Sequence, residues 1–503
     1  MSIADHIRKV CVAGGEEVAI DLDGATLSWN AWARAITTLE ARLDAVGLGS
    51  DALVGLLGRN RLEQLSGFVA VLGSGRGLSL VNAVRPAGLI AEEVSELRLA
   101  CLLGSAADLG DEVVAAAAVA GTMLILVTVE DGEVGFAQRT PKGTGPFRPR
   151  APGMLIEIQT SGTTGKPKRI PIAEKTFAGS LADGVRTATG AVGEVELRPK
   201  ASPSLIFGPL VHTSGTINSL MSIFEVRPII LFEKFDAGKY RDALIRYRPK
   251  FAPLPPAAMK MMVDSDATRE DFASVIAVRA GTAALPIELQ DAFEEKFGVP
   301  VLVTYGATEF MGTAANWTLE EYRKYGRDKR GSVGRASRGV ELRIVDPQSG
   351  APLPADAVGI LEVRLARMED GKEWMRTSDL GRIDADGYLF ITGRADDAII
   401  RGGFKIMAGK VADALRPYDG VFDVIVLGAA DERLGEVPVA LIEPYPGQAP
   451  DPDAIRLWSR EKLTSYEVPA RVHVVDKLPR TVSDKISKPE ARKLLAQLEA
   501  DVA

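Results

Sequence analysis

Hydrophobic residues recur along the first half of this 503-residue chain in two alternating patterns. The first is helical: residues 28–46 place apolar side chains on one face, namely Trp32, Ala35, Leu39 and Leu43. The second consists of short, continuous apolar runs, typical of buried strands, at residues 52–57, 78–81 and 123–127. Helices that alternate with buried strands predict layered α/β subdomains.

The second half of the chain departs from this regular alternation. Another α/β pattern covers residues 204–303, and shorter strands and a hairpin between residues 339 and 393 predict a subsidiary β unit. A chain of this length is too long for one compact core. We therefore predict a large N-terminal domain of residues 1–395 and a small α+β domain of residues 396–503.

The composition disfavours several classes of partner. Hydrophobic residues make up 46% of the chain and charged residues 25%, and the net charge of −7 disfavours a nucleic-acid partner. Two cysteines and three histidines at scattered positions do not form a zinc site of recognisable spacing. Residues 1–11 lack the apolar core of a secretory signal, so we expect a cytoplasmic protein.

Two uncharged runs have roughly the length of a membrane span but not its character. Residues 113–129 are mostly alanine, then a Gly-Thr turn and an apolar run, which predicts a buried helix, a turn and a buried strand. Residues 201–224 are broken by proline, glycine and histidine. We therefore expect no membrane insertion.

Candidate phosphate-binding chemistry is concentrated in one loop, which follows an apolar strand at residues 154–159. The loop reads Thr160, Ser161, Gly162, Thr163, Thr164, Gly165, Lys166, Pro167 and Lys168. Its glycines let backbone N–H groups approach phosphate oxygens, while its hydroxyls and lysines supply donors and positive charge. Pro167 directly after Lys166 distinguishes it from the usual NTPase P-loop. The following residues 169–172 predict a strand that returns as a hairpin.

This loop resembles the signature of the adenylate-forming superfamily, which includes acyl- and aryl-CoA synthetases, peptide-synthetase adenylation domains and firefly luciferase. Further motifs follow in the family's order over residues 18–495. The resemblance implies an ATP-dependent, AMP-forming acid–thiol ligase that uses Mg²⁺ and coenzyme A, with a mobile C-terminal domain hinged at Asp396. Arg169 stands where the family usually has glycine.

Other motifs in the chain resemble the family's nucleotide pocket. Gly281, Thr282 and Ala283 resemble the family's adenine-side loop. The family's aromatic-Gly-x-Thr-Glu motif is matched by Tyr305, Gly306, Ala307, Thr308 and Glu309. By this resemblance Tyr305 stacks on adenine and Thr308 approaches the α-phosphate. Glu309, with Thr163, is expected at Mg²⁺, which prefers hard oxygen ligands and bridges phosphates. Asp379 is expected to hold the ribose hydroxyls, with Arg394 as a second contact and Ser378 in place of a glycine.

The C-terminal motifs imply the remaining catalytic parts. The Gly402-Gly403 pair resembles the loop that reaches the pantetheine arm of coenzyme A, where glycine permits close backbone approach. Lys485 resembles the lysine that bridges the carboxylate and the α-phosphate. Asp484 replaces a glycine there, and we expect it to pair with Lys485.

Residues 207–215 resemble the Pro-Leu-x-His-x-x-Gly segment of acyl-CoA synthetases. This resemblance implies that His212 is an aromatic gate beside the reacting carboxylate. Residues 204–223 contain no aspartate, arginine or lysine, so we expect an uncharged acyl or aryl acid rather than an amino acid or a dicarboxylate. The expected pocket residues are Phe207, His212, Thr213, Gly215, Gly281, Phe310, Met311 and Gly312. An enzyme that loads a carrier-protein thiol, and a non-catalytic nucleotide-binding regulator, remain as alternatives.

Overall fold

The structure is a computed structural model. It describes residues 2–160, 168–179, 181, 197–307, 312–366, 373–401, 404–431, 433–481 and 484–500.

Most of the helices bury one face and leave the other to solvent, whereas the helix Leu62–Gly73 is buried on nearly all sides. The helices are α1 Ile3–Gly14, α2 Trp29–Ala45, α3 Leu62–Gly73, α4 Ala87–Leu97, α5 Asp111–Ala120, α6 Thr213–Phe224, α7 Ala237–Tyr247, α8 Pro256–Asp264, α9 Ile287–Phe297, α10 Leu319–Tyr325, α11 Ala408–Leu415, α12 Pro452–Ser459 and α13 Lys488–Ala500. Helix α2 begins where expected, because the Ser28 hydroxyl caps it by accepting from the Ala31 N–H at 3.1 Å. Its four predicted apolar residues are all buried.

The strands match the predicted apolar runs within a few residues. They are β1 Val18–Leu22, β2 Ala25–Ser28, β3 Leu53–Gly58, β4 Gly77–Asn82, β5 Cys101–Gly104, β6 Met123–Glu130, β7 Glu133–Gln138, β8 Met154–Thr160, β9 Lys168–Ala173, β10 Ser204–Ile206, β11 Ile229–Leu231, β12 Phe251–Pro253, β13 Ala277–Ala280, β14 Val301–Ala307, β15 Gly312–Asn316, β16 Arg335–Ala336, β17 Val340–Val345, β18 Gly359–Leu365, β19 Met375–Ile383, β20 Leu389–Arg394, β21 Ala398–Arg401, β22 Phe404–Met407, β23 Val421–Asp431, β24 Gly435–Pro444 and β25 Arg471–Val474.

In the described part of the chain these strands form five sheets, which confirms the layered α/β prediction. A seven-stranded sheet has the order β7-β6-β5-β3-β4-β8-β9, parallel except for its two edge strands. A five-stranded sheet runs β12-β13-β14-β15-β16, and its first three strands are parallel. An antiparallel sheet, β17-β18-β19-β20, is the predicted subsidiary β unit. Strands β10, β11, β1 and β2 form another sheet.

The last sheet belongs to the C-terminal part of the chain, where β21 to β25 pack with α11, α12 and α13. The chain passes from the subsidiary sheet to this one between Arg394 and Ala398. That change is compatible with a hinge at Asp396, and the boundary there stays a prediction.

The alanine-rich segment differs from its prediction. Helix α5 buries only Val113 and Ala117, while the Val119 residue is 89% exposed, so the expected buried helix is a surface helix. Alanine carries too little apolar surface to mark a buried face in the sequence. Every helix among the described residues falls short of the length and apolarity needed to cross a membrane.

Arg169 lies in a buried charge cluster at the start of β9. Its Nη1 lies 3.0 Å from Glu157 Oε1 and 3.0 Å from Ser79 Oγ, and its Nη2 contacts Glu93. Arg148 adds a second cation to Glu157 at 2.7 Å. Burial raises the pKa of Glu157, but the hydrogen bonds and charges of its partners outweigh burial and hold that pKa below its ordinary value. The arginine that departs from the family pattern therefore links β9 to β4 and α4.

Replacing Arg169 with methionine should leave Glu93 and Glu157 buried with too little positive charge. We expect the free energy of unfolding to fall by about 3 kcal/mol, since breaking a buried pair strands the other charge. Urea unfolding followed by tryptophan fluorescence measures it. Because the pKa of Glu157 is lowered in the folded protein, its ion pairs stabilise the fold above the ordinary carboxyl pKa, and this stabilisation is lost as pH falls through the folded-state pKa. The difference in unfolding free energy between wild type and Arg169→Met should therefore shrink in acid.

The matched control is Arg34→Met, which breaks an ion pair with Glu133 in which both side chains are more than half exposed. That loss should cost about 1 kcal/mol or less. Equal destabilisation by the two substitutions would contradict a structural role for Arg169.

Candidate active site

Strands β14, β19 and β20 bring three predicted nucleotide-binding residues together. The Tyr305 hydroxyl donates to Asp379 Oδ2 at 2.5 Å. Asp379 on β19 is the register partner of Arg394 on β20, and the Arg394 Nε lies 4.0 Å from Asp379 Oδ1. The cluster therefore joins residues that are 74 and 15 positions apart in sequence.

Neighbouring polar groups hold this cluster in place. The Thr377 hydroxyl donates to the Leu361 carbonyl at 2.8 Å and accepts from the Asp379 N–H at 3.0 Å. Arg394 Nη2 donates to the Ser378 hydroxyl at 2.5 Å. Ser378, which stands in place of the usual glycine, thus gives Arg394 a hydrogen-bond partner.

The electrostatics keep Tyr305 a donor and Asp379 an acceptor. Burial raises the pKa of Tyr305, and the adjacent Asp379 carboxylate raises it further, so the phenol stays protonated. Asp379 uses Oδ2 for Tyr305, and Oδ1 remains beside Arg394. A carboxylate held in this way can accept hydrogen bonds from vicinal hydroxyl groups.

Glycines permit two close backbone contacts beside this cluster. A Cβ on Gly281 would lie 2.6 Å from Thr304 Oγ1, and one on Gly306 would lie 2.4 Å from the Gly312 carbonyl oxygen. Thr282 has a φ of 70°, an unusual value for a β-branched residue. Because β13 and β14 are parallel neighbours, Ala280 pairs with Val303 and the adenine-side loop emerges beside Tyr305.

Several predicted residues lie outside the described part of the chain. They are Ser161, Gly162, Thr163, Thr164, Gly165, Lys166, Thr308, Glu309, Phe310, Met311, Gly402 and Gly403; the side chains of Thr160, Lys168 and Asp396 also lie outside it. The hairpin that should carry the phosphate loop is present, since β8 and β9 are antiparallel with Thr160 opposite Lys168. Among the described residues no group of His, Cys, Asp and Glu is arranged to hold a metal ion.

On the acyl side, His212 immediately precedes α6, and its Nε2 is buried without a hydrogen-bond partner among the described residues. Burial, together with a smaller effect of the Lys485 charge, lowers the pKa of His212 to about 4. The imidazole is therefore neutral near pH 7. Gly215 is required for the tight entry to α6, because a Cβ there would lie 2.1 Å from the Pro209 carbonyl oxygen.

Lys485 approaches this histidine from the C-terminal part of the chain. Its surface is still partly accessible to water, yet protein surrounds it, and the resulting desolvation lowers the pKa of the ammonium. The backbone turn at Thr481 holds it, since the Thr481 N–H donates to the Lys485 carbonyl at 2.7 Å. The charge of this C-terminal lysine therefore acts on the His212 imidazole.

Asp484 differs from its expectation. Its carboxylate lies 3.9 Å from Arg480 Nε, so it is paired with Arg480 rather than with Lys485. Its φ of 58° explains why glycine is usual here, because the backbone is left-handed and aspartate is among the residues that tolerate this conformation.

The sequence reasoning missed Asn60, which organises the acyl-side loop. The Asn60 amide donates to the carbonyl oxygens of Phe207 and Gly208, each at 3.1 Å, and its Oδ1 accepts from the Leu210 N–H at 2.9 Å. The residue is only 6% exposed. Its place directly after β3 was the available signal, since the carboxyl ends of parallel strands form one edge of a sheet.

Comparison with known proteins agrees with these motifs. The AMP-binding enzyme family matches residues 7–371, and the AMP-binding enzyme C-terminal domain matches residues 410–485. The chain belongs to this family. It is accordingly an ATP-dependent, AMP-forming ligase, and the family recognised in the sequence is confirmed.

Individual relatives and structures extend this finding. The chain is 30% identical over 383 residues to 4-coumarate–CoA ligase-like 9 of Oryza sativa subsp. japonica, covering 72% of this chain and 68% of the relative. It is 31% identical over 362 residues to the indoleacetate–CoA ligase of Aromatoleum aromaticum, covering 68% of each protein. Its fold is similar to ATP-bound MatB from Rhodopseudomonas palustris, with a TM-score of 0.83 at 22% identity, over 99% of this chain and 100% of that one.

Asn60→Ala tests the support of the acyl-side loop. The change leaves backbone groups of Phe207 and Leu210 without their partner, which costs about 1–3 kcal/mol for a buried group. We expect the kcat/KM for the acid to fall about tenfold or more, with the KM for ATP nearly unchanged. Steady-state pyrophosphate release, with acid and ATP varied separately, measures both.

Asn30→Ala is the control, because Asn30 donates to Glu16 at an exposed position. It should leave both constants unchanged. An equal loss towards acid and ATP in Asn60→Ala would indicate general destabilisation instead of loop positioning.

Proposed function

We propose that this chain is an AMP-forming acid–CoA ligase that activates a carboxylic acid as an acyl-adenylate and transfers the acyl group to coenzyme A. The observation that carries the assignment is the effect of the Lys485 charge on His212, by which a C-terminal ammonium acts on the proposed acyl side. The curated relatives reported above are named CoA ligases, which favours coenzyme A over a carrier-protein thiol as the acceptor.

In the first half-reaction, a carboxylate oxygen of the acid attacks the α-phosphorus of ATP and pyrophosphate leaves. Asp379 accepts from the ribose hydroxyls while Tyr305 and Arg394 fix its orientation. Lys485 donates to the carboxylate and the α-phosphate and offsets the negative charge that develops between them. The neutral imidazole of His212 closes the acyl side without adding a second positive charge. The phosphate loop and Glu309 hold the triphosphate with its Mg²⁺.

In the second half-reaction, the coenzyme A sulfur attacks the acyl carbonyl, the thiol proton is lost and AMP leaves. We propose that residues 396–503 rotate about Asp396, which removes Lys485 and brings the Gly402-Gly403 loop to the acyl-adenylate. The present arrangement, with Lys485 at His212, corresponds to the first half-reaction. It is supported by a second contact between the two parts of the chain, in which Lys260 Nζ lies 4.6 Å from the centre of the Tyr445 ring.

We place the enzyme in the cytoplasm. Cys11 and Cys101 are both buried and free, which suits a reducing compartment.

Lys485→Ala should abolish adenylation and leave the second half-reaction intact. We expect carboxylate-dependent ATP–pyrophosphate exchange to fall at least about 100-fold, because a preorganised cation at the developing charge is removed. Formation of acyl-CoA from the synthetic acyl-adenylate should stay within about threefold of wild type, since Lys485 has left the site at that stage. Exchange that persists in the variant would show that Lys485 is not the adenylation lysine.

Lys493→Ala is the control for this experiment, because Lys493 forms an exposed ion pair with Glu490 on α13. Both half-reactions should be unaffected. The lowered pKa of Lys485 gives a further check. Exchange in wild type should decline on the alkaline side below the ordinary lysine pKa, as the ammonium loses its proton.

A cross-link between the two parts of the chain tests the proposed rotation. Lys260→Cys with Tyr445→Cys, joined by a short bis-maleimide, should retain exchange and lose thioester formation. The native thiols should not interfere, because burial raises the pKa of Cys11 to about 12 and also raises that of Cys101. Each single variant treated with the reagent is the control. Thioester formation at the wild-type rate in fully cross-linked protein would contradict the rotation.

A further inference from the structure

Arg279 is a cation on the strand that leads into the active site. It lies on β13, two residues before Gly281, which is roughly 7 Å along the strand. Its neighbours Val278 and Ala280 are buried in the core against α7, α8 and α9. Because side chains alternate along a strand, Arg279 points to the opposite face of the sheet, which it shares with Gly281.

The side chain of Arg279 lies near an aromatic ring, but it forms no ion pair with a carboxylate among the described residues. Its Cζ lies 4.9 Å from the centre of the Phe251 ring on β12. The nearest charges are Glu225 and Arg227, just beyond the end of α6, and these two are paired with each other at 2.8 Å. Among the residues that the structure describes, the guanidinium of Arg279 has no hydrogen bond or ion pair, although its backbone carbonyl accepts from the Leu254 N–H at 2.9 Å.

Arg279 is enclosed and yet accessible. More than a third of its surface is open to water, although protein surrounds it on nearly all sides, and this enclosure lowers the pKa of its guanidinium. Partial desolvation of a guanidinium carries a cost that an anionic partner offsets.

Helix α6 connects this cation with the reacting end of the site. It begins directly after His212 and ends directly before Glu225, so its 12 residues extend roughly 18 Å between the two. None of the residues of α6 is charged. A substrate lying along α6 therefore meets Lys485 and His212 at one end, an uncharged wall, and the field of Arg279 towards the other.

We propose that Arg279 binds a second anionic oxygen group, a carboxylate or a sulfonate, at the far end of the acid substrate. This inference rests on the proposed function and specifies its substrate class. The expectation of an uncharged acid considered only residues 204–223, and Arg279 lies outside that segment. The body of the acid between its two anionic groups is uncharged, in keeping with the composition of α6.

The first test needs only the wild-type protein. ATP–pyrophosphate exchange is measured with matched acids: straight-chain and arylpropanoic monoacids, the same acids with a terminal carboxylate or sulfonate, and the neutral terminal amides. We expect kcat/KM for the best doubly anionic acid to exceed that for its monoacid and its amide by about tenfold or more, the scale typical of a site built around a polar partner. Equal or better use of the monoacid or the amide overturns the inference.

The second test assigns the preference to the guanidinium. Arg279→Met should raise the KM for doubly anionic acids about tenfold or more, remove the preference over monoacids, and leave kcat within about threefold. Arg279→Lys should retain part of the preference, because it keeps the charge but not the planar fork. Monoacid exchange in the methionine variant reports on its folding. A loss that is equal for all acids, or no change, overturns the assignment.

Arg246→Met is the matched control, since the Arg246 Cζ also lies 4.9 Å from an aromatic ring, that of Tyr247, and the residue is exposed. It should leave the preference unchanged. The two levels of the proposal fail differently. If none of the acids supports exchange, both the proposed ligase activity and this inference are wrong. Exchange that ignores the second charge defeats only the role of Arg279.

Discussion

The effect of the Lys485 charge on the His212 imidazole is the interaction on which the arrangement that we propose for this enzyme depends. Two cations cannot share a desolvated site cheaply, and here only one is charged, because burial and the lysine together keep the histidine neutral. With the histidine neutral, Lys485 of the C-terminal part of the chain supplies the positive charge that acts on it. Whatever moves that part away also changes the chemistry that the site favours.

Buried polar side chains hold the fixed part of the site to this geometry. Asn60 connects the end of β3 to the loop that carries His212, through a hydrogen bond to Leu210, which is 150 residues away in sequence. Arg169 connects the strand after the phosphate loop to β4 and α4. Each of these side chains is costly to bury alone and becomes favourable only when all its partners are present, so each specifies one arrangement of distant segments.

Charge is distributed in the site according to what each end must bind. The nucleotide side presents a carboxylate, Asp379, flanked by a phenol and a guanidinium. On the acyl side, in the arrangement that we propose, an uncharged helix lies between two cations, Lys485 and Arg279. With this proposed distribution of charge, the far end of the acid sets the preference of the ligase, while the chemistry at the near end is the same for all acids.

The sequence by itself determined the fold class, the family and the positions of the strands that have continuous apolar runs, because these follow from apolar periodicity and from runs of residues that suit one chemistry. It also identified Tyr305, Asp379, Arg394 and Lys485, although their assigned roles remain proposals. Only the tertiary structure decided which charges meet. Asp484 pairs with Arg480 and not with its neighbour Lys485, Asn60 supports a loop far along the chain, and α5 lies on the surface. These outcomes depend on burial and on contacts between distant segments, which no local pattern of residues encodes.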